Sequence, residues 1–222
     1  MKSTELELSL KERVNLALAN HWKAAVGIFV VIVVLMAGIL ILDAVRRNRI
    51  ADSSMMAEDI QDTYTALMQE QPEDRDYAEL DELIETAMND YSRYFAAQRA
   101  LFTKGLVALE EEEWEPAASS FTELAERWPE SYLAPVSLFN AGAAFEESGD
   151  LDQAAENWQS LVDDYAEVAP DAPEALFNLG RLAETRSSDD EAVDFYKEIE
   201  SRFPQSRWTN LAKSRILVLE SR

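Results

Sequence analysis

One spaced pattern that occurs three times constrains the fold of this chain more than any other feature. In each copy a glycine is followed by an alanine 12 residues later and by an aromatic residue 16 residues later, and successive glycines lie 37 and 38 residues apart. A proline follows at an offset of 24 in the first and third copies, whereas the middle copy has Pro170 four residues beyond that offset. A period of this length predicts a stack of similar supersecondary units. The pattern residues are Gly105, Ala117, Phe121 and Pro129, then Gly142, Ala154 and Trp158, then Gly180, Ala192, Tyr196 and Pro204.

The chemistry of this spacing predicts a pair of antiparallel helices in every copy. Glycine and alanine allow two helices to approach closely where they cross. We expect the aromatic residue on the second helix to fill the gap to the neighbouring repeat, and the proline to end that helix. The pattern resembles the tetratricopeptide repeat, which places small residues at its eighth and twentieth positions. The resemblance implies an α-solenoid of helix pairs.

The longest apolar run extends from Ala24 to Leu42 and contains 19 residues without a polar side chain. As a helix it is about 28 Å long, which matches the hydrocarbon thickness of a bilayer. Soluble core helices rarely lack a polar face over such a length, so the run predicts a transmembrane helix. Residues 43–46 offer no small-x-small cleavage site, and we therefore expect a retained anchor and not a cleaved signal peptide.

The charges on the two sides of this run leave its orientation open. Four basic residues precede the run and three arginines follow it by residue 49, which gives the positive-inside rule little to act on. Ahead of the run, residues 3–20 predict a short amphipathic helix that begins at Ser3 or Thr4. Three placements of that helix stay open: on the membrane face, against a partner helix, or in solvent.

Together these segments predict an all-α fold in which one N-terminal transmembrane helix precedes a tetratricopeptide-like α-solenoid with a C-terminal capping helix. About nine helices outside the membrane and no sheet are expected. Residues 50–70 and 77–91 predict two further helices, which we interpret as a degenerate first pair. The predicted organisation is a short amphipathic segment at 1–23, a transmembrane helix at 24–42, a linker and degenerate helical pair at 43–97, three repeats at 98–207 and a capping helix at 208–222.

Composition restricts the function that such a chain can have. The chain has 43 acidic and 20 basic residues, a formal net charge of -23, although residues 1–49 by themselves carry a net charge of +3. An acidic domain of this kind repels phosphate backbones and anionic headgroups, so we exclude nucleic-acid binding. The chain has no cysteine, and its one histidine, His21, adjoins the apolar run, where we expect an interfacial role.

No motif in the sequence predicts catalysis. The acidic runs Glu110–Glu113 and Asp189–Glu191 are interpreted as solvated turns between the helices of a pair. Residues 147–152 come nearest to a calcium loop, but they fit the turn of a repeat better. A phosphate-binding glycine-rich loop and a Ser-His-Asp set are both lacking. We therefore expect no enzymatic activity, no cofactor and no metal site.

A helical-repeat array offers instead a surface on which an extended or helical peptide can bind. Counting from the three glycines places a set of side chains on the groove-facing side of the first helices. The recurring Phe-Asn pairs put an aromatic contact beside an amide that can bond a peptide backbone. Packing of these phenylalanines between repeats is the alternative. The predicted groove residues are Arg99, Phe102 and Leu106, then Phe139, Asn140 and Ala143, then Phe177, Asn178 and Arg181.

The order of the segments resembles the YfgM-type proteins of the bacterial inner membrane, with a leader that ends in Trp22-Lys23, one span and an acidic repeat domain. The resemblance implies a single-pass protein with a cytoplasmic N-terminus and periplasmic repeats. Its implied role is an ancillary scaffold at the secretory translocon, with envelope chaperones as partners. Two alternatives stay open. The arrays could stack on one another or on an envelope machine as a structural assembly component, or they could face the cytoplasm as an adaptor, which the Arg46-Arg47-Arg49 cluster permits.

Overall fold

The computed structural model describes residues 10–221, apart from the side chains of several residues in the first helix. The predicted helix start at Ser3 or Thr4 lies outside the described residues, and so does the side chain of His21. The chain divides into two compact units, Met1–Ala51 and Asp52–Arg222.

The described residues of the first unit, 10–51, all lie in helix α1, which spans Leu10–Leu67. The sequence predicted three separate helical stretches here, and the structure joins them because no proline occurs before Pro72. The part from Trp22 onwards contains a window with a mean hydropathy of 3.2 in which no residue is buried. Helix α1 is therefore long and apolar enough to cross a membrane, a property that it shares with signal sequences.

The second unit is a series of helices that pack on their neighbours in chain order. Short loops join them, and no strand occurs within residues 10–221. The arrangement confirms the predicted all-α fold of tetratricopeptide-like helix pairs. After a short 3-10 turn at Pro72–Asp74, the helices are α2 (Ala78–Asp90), α3 (Phe95–Glu110), α4 (Trp114–Arg127), α5 (Ala134–Ser148), α6 (Leu151–Tyr165), α7 (Ala172–Thr185), α8 (Asp189–Arg202) and α9 (Arg207–Glu220).

The three pattern glycines lie where the two helices of a pair cross. A Cβ atom placed on Gly105 would lie 2.7 Å from the Phe121 ring, and one on Gly180 would lie 2.6 Å from the Tyr196 ring. Gly142 meets the indole of Trp158 in the same way. The aromatic ring therefore closes the crossing inside its own pair. Phe121 also shares a buried cluster with Ala141 and Ala144 of the next pair, which is the side on which we expected the ring to pack. Glycine is needed here because the ring occupies the space that a side chain would take.

The turn between the helices of each pair repeats as closely as the glycine does. The residue seven positions after the glycine has a positive φ in all three pairs, 57° at Glu112, 86° at Gly149 and 59° at Ser187. The amide of the following residue donates to a carbonyl five residues earlier, as in Asp150 N to Phe145 O at 2.9 Å. This is the Schellman arrangement that ends a helix with a left-handed residue. Glycine takes that position in one pair of the three.

Further helices extend the stack beyond the three pairs at both ends. At the N-terminal end, the last turns of α1 pack with α2 and α3 around buried Ile60, Leu80 and Ala96. The buried hydroxyl of Ser53 accepts a hydrogen bond from the Ala96 amide at 3.0 Å. At the other end, helix α9 packs mainly on α8, and its Trp208 ring lies 4.9 Å from the Phe177 ring. Neighbouring units thus cover both ends of the repeat core.

Candidate partner-binding groove

The first helices of the three pairs, α3, α5 and α7, carry the predicted groove residues. In this architecture the first helices of stacked pairs face the concave side. The half-buried phenylalanines on them are packed against other aromatic residues of the protein. The Phe102 ring lies 5.5 Å from the Phe121 ring, and the Phe177 ring lies 5.3 Å from the Tyr196 ring. These two contacts lie within single pairs, whereas the predicted alternative was packing between repeats. Phe177 also makes a contact beyond its pair, since its ring lies 4.9 Å from that of Trp208 on α9.

Phe139 contributes to packing through its backbone as well. Its side chain packs on the buried cluster that contains Trp158, and its carbonyl oxygen accepts a hydrogen bond from Trp158 Nε1 at 3.2 Å. Ala143 packs on the same cluster, and Leu106 packs on the cluster around Phe121. The apolar members of the predicted groove thus form its floor.

Two amides stand out on this floor. Asn140 on α5 and Asn178 on α7 occupy the same position, two residues before the pattern glycine. Both are half-buried. Among the hydrogen bonds between described residues, neither side chain takes part in one, although most polar groups at similar depth are bonded. An amide has two donors and an acceptor, which is the set needed to pair with a peptide backbone.

The predicted groove cations are engaged within the protein. Arg99 donates to Gln61 Oε1 and to the hydroxyl of Tyr132, both at 2.9 Å. Arg181 forms a two-point ion pair with Glu146, with nitrogen–oxygen distances of 2.6 and 2.7 Å. Planar pairing of this kind fixes a guanidinium in place. These arginines therefore link neighbouring elements of the stack.

The ion pair at Arg181 belongs to a repeated link that sequence reasoning missed. Glu146 lies four residues after Gly142, and Glu184 lies four residues after Gly180. Glu146 pairs with Arg181 on the next first helix. Glu184 pairs in the same way with Arg215 on the capping helix α9. A glutamate at a fixed offset from two of the glycines was the available signal. In the first pair Leu109 takes that position.

Beside this second link, a pocket of about 440 Å³ is lined by residues of α7, α8 and α9. The hydroxyl of Tyr196 donates to Glu184 Oε1 at 2.7 Å. Burial, and then this hydrogen bond to a carboxylate, raise the pKa of Tyr196 well above its ordinary value of 10.0. Below about pH 10 the phenol is neutral in both the folded and unfolded chain, so its contribution to stability is fully present there.

We expect the stability of the repeat domain to fall as the pH rises above about 10, because the unfolded chain then loses the Tyr196 proton while the folded chain keeps it. One such group contributes a loss of about 1.4 kcal/mol per pH unit in that range. Tyr196→Phe should lower stability by about 1 kcal/mol at neutral pH and make the alkaline loss smaller. Urea unfolding at several pH values, followed by tryptophan fluorescence, measures both effects. Equal alkaline slopes for the two proteins would contradict the assignment.

Of the two acidic runs that were interpreted as solvated turns, the first lies largely in a turn and the second begins a helix. Glu111, Glu112 and Glu113 are exposed between α3 and α4, whereas Asp189 and Glu191 lie in the first turn of α8 and face the positive end of its dipole. Within residues 10–221 no three acidic or histidine side chains are grouped as a metal site would require.

Comparisons with known proteins agree with this geometry. The tetratricopeptide repeat family model matches residues 139–207, which extend from α5 to the first residue of α9. A TPR repeat-containing protein of Treponema pallidum (strain Nichols) is 35% identical over 109 residues, which cover 48% of this chain and 44% of that protein. The match thus spans less than half the length of this relative. Sequence and fold together indicate a tetratricopeptide-type repeat domain in the C-terminal part of the chain.

Proposed function

We propose that this chain is a membrane-anchored scaffold whose repeats hold an extended segment of another protein along their concave side. One observation carries the proposal: Asn140 and Asn178 occupy equivalent positions on successive first helices, and their amides form no hydrogen bond with another described residue. The amide atoms of both residues reach solvent, since they are not among the buried unpartnered polar atoms of the described residues, and they are therefore available to a ligand. A peptide backbone offers donors and acceptors to both amides.

The apolar floor beside the amides supports the same function. Phe139 and Phe177 are half-buried, so each keeps part of its ring accessible while the rest is fixed by packing. A floor that does not rearrange reduces the ordering cost when a peptide binds. The engaged arginines argue against recognition of an acidic chain terminus, and the net charge of -23 favours a neutral or basic segment.

We place this scaffold in the bacterial cell envelope, with α1 as a retained inner-membrane anchor, the N-terminus in the cytoplasm and the repeats in the periplasm. The proposal is supported by the length and hydropathy of α1, by the YfgM-like order of segments, and by a bacterial relative. Translocon subunits, periplasmic chaperones and envelope assembly factors are the partners that this location provides. Binding, and not catalysis, is the activity that we assign.

The predicted groove is tested by replacing both asparagines with alanine. The double variant Asn140→Ala and Asn178→Ala should reduce partner capture about tenfold, since two hydrogen bonds contribute roughly 1 to 3 kcal/mol together. The measurement is quantitative mass spectrometry of proteins that co-purify with the full chain from detergent-solubilised membranes. Unlike a change at Phe139, this exchange leaves the aromatic packing in place.

Asn210→Ala supplies the matched control, because Asn210 is an exposed asparagine on α9 away from the predicted groove. Far-UV circular dichroism should be the same for both variants and the unchanged chain. If the double variant captures its partners as well as the Asn210 variant does, the groove assignment is wrong. Recovery of copies of this chain alone would favour the structural assembly role instead.

Orientation requires a separate experiment. Protease added to intact spheroplasts should digest the repeat domain and leave the short N-terminal segment protected. A protected repeat domain would exclude the periplasmic location and favour the cytoplasmic adaptor, which the Arg46-Arg47-Arg49 cluster permits.

A further inference from the structure

A second apolar surface lies where the second helix of one pair ends and the next pair begins. Its centre is a pocket of about 320 Å³ whose walls include Tyr132, Pro135, Tyr165 and Val168. We call it the edge pocket. Tyr132 is 66% exposed and Val168 is 73% exposed, although both are large hydrophobic residues. The predicted groove residues are absent from its lining, so packing of the groove does not explain these side chains.

Both tyrosines of the edge pocket are held in position without a ligand. The hydroxyl of Tyr132 accepts a hydrogen bond from Arg99 at 2.9 Å, and its ring stacks on Phe95 at 5.7 Å. The hydroxyl of Tyr165 donates to the Pro129 carbonyl at 2.9 Å. Fixed rings lose little conformational entropy on binding, which favours recognition of a ligand that is itself rigid.

The same connecting segment forms part of a second pocket. Residues 129–132 line both the edge pocket and a neighbouring pocket of about 410 Å³ that contains Trp128. Adjoining pockets with fixed aromatic walls suit a polyproline II helix. The proline rings of such a helix project at regular intervals from a stiff backbone, so successive rings can enter neighbouring pockets. A flexible apolar segment would have to be ordered first, at a cost in free energy.

Charge defines the ligand further. Glu130 is exposed and lines both pockets, and Asp164 adjoins Tyr165. Both carboxylates lie close enough to the Tyr165 hydroxyl to raise its pKa, after the larger effect of burial. The one basic side chain that lines either pocket, Arg127, is paired with Glu123 at 2.6 Å and stacks on Trp128 at 4.4 Å. Arg99, which donates to the Tyr132 hydroxyl, offsets one of the two carboxylates, so the net charge beside the pocket is negative.

We propose that the edge pocket binds a proline-rich segment of a partner protein that carries lysine or arginine beside its prolines. The aromatic and proline walls recognise the proline rings, and Glu130 with Asp164 attracts the basic residue. The lining of the edge pocket contains no predicted groove residue, although Arg99 of the groove holds Tyr132. A partner that uses both surfaces is held at two places on the same repeats. Two contacts on one surface raise the overall affinity above that of either.

The probe is a fluorescein-labelled peptide with a run of prolines followed by arginines, titrated with the full chain in detergent micelles and followed by fluorescence anisotropy. Val168→Ser and Tyr132→Ala should each weaken its binding about fivefold to tenfold. Val168→Ser is the decisive variant, because a side chain that is 73% exposed contributes little to folding. Leu217→Ser on α9 is the matched control, since Leu217 is 70% exposed outside the pocket, and it should leave the affinity unchanged.

Two comparison peptides test the chemistry. A peptide with glutamates in place of the arginines should bind more weakly, and a glycine-serine peptide that keeps the arginines should bind more weakly still. Equal affinity for either one, or for the Val168 and Leu217 variants, would overturn the proposal, as would a lack of binding to the first peptide. The Asn140 and Asn178 double variant should bind this peptide normally. If it alone loses affinity, the peptide occupies the groove and the edge pocket is not its site.

Discussion

Gly142→Ala is expected to destabilise the repeat domain by about 2 to 3 kcal/mol. The added Cβ would lie 2.6 Å from Cδ1 of Trp158 and would also overlap Nε1 of the same ring. The indole has nowhere to move, because Trp158 is fully buried and Nε1 is bonded to the Phe139 carbonyl. The alanine regains about 1 kcal/mol of helix propensity, so the strain at the crossing must exceed that gain.

Two further variants test whether the loss of stability comes from the contact between Gly142 and the indole ring. Gly38→Ala adds the same methyl group to a helix with no neighbouring atom within 4 Å, and it should be neutral or slightly stabilising. Trp158→Leu removes the ring that the methyl group meets, so the double variant with Gly142→Ala should lose less stability than the two single losses added together. Urea unfolding of the full chain in detergent, followed by circular dichroism, measures the cycle. Additive losses would show that the ring and the glycine are not coupled.

The period of Gly142 and its equivalents is also the reason that the fold could be read from sequence. Few residue types allow two helices to cross closely. The offset of 16 from Gly105 to Phe121 therefore identifies a contact between the glycine backbone and the aromatic ring within one helix pair. The direction of that contact could not be read in the same way. A large ring on a second helix can pack on its own pair, on the next pair or on both, and the distances between the helices decide which contacts form.

Other features could not be predicted because they do not depend on side-chain type in a regular way. The left-handed residue that ends each first helix is glycine at Gly149 but glutamate at Glu112 and serine at Ser187. Backbone hydrogen bonds of the turn impose that conformation, and they are equally available to any sequence. All three turns were predicted, but residue type points to the left-handed position only at Gly149.

The candidate site shows the same division. The positions of Asn140 and Asn178 follow from their offset to the glycines, which the repeat fixes. The partners of Arg99 and Arg181 do not follow from it, because Gln61 and Glu146 come from other elements and lie 38 and 35 residues away in the chain. A long flexible arginine side chain can reach several acceptors on an acidic surface. The partners of the two groove arginines were therefore the least predictable part of the site.

Ile60→Ala is expected to destabilise the N-terminal end of the stack by about 3 kcal/mol. Ile60 is fully buried and packs near the end of α1 with Leu80 on α2 and Ala96 on α3. Truncation removes most of the side chain from this buried cluster and leaves a cavity there. The result tests whether residues 52–90 form a helix pair of the repeat domain or a linker to it, since a linker would not depend on one buried isoleucine.

In a stack of repeats each unit contacts its neighbours alone, so the effect of Ile60→Ala should stay local. Hydrogen exchange measured by mass spectrometry should show lost protection in α2 and the start of α3, and unchanged protection in α7, α8 and α9. Met55→Ala is the control on the same helix, because Met55 is 57% exposed and its truncation should cost less than about 0.5 kcal/mol. Equal effects of the two exchanges would make the segment a linker. Loss of protection throughout α2–α9 would mean that the helices unfold as one unit, because a stack of separable pairs confines the damage to the end at which it is made.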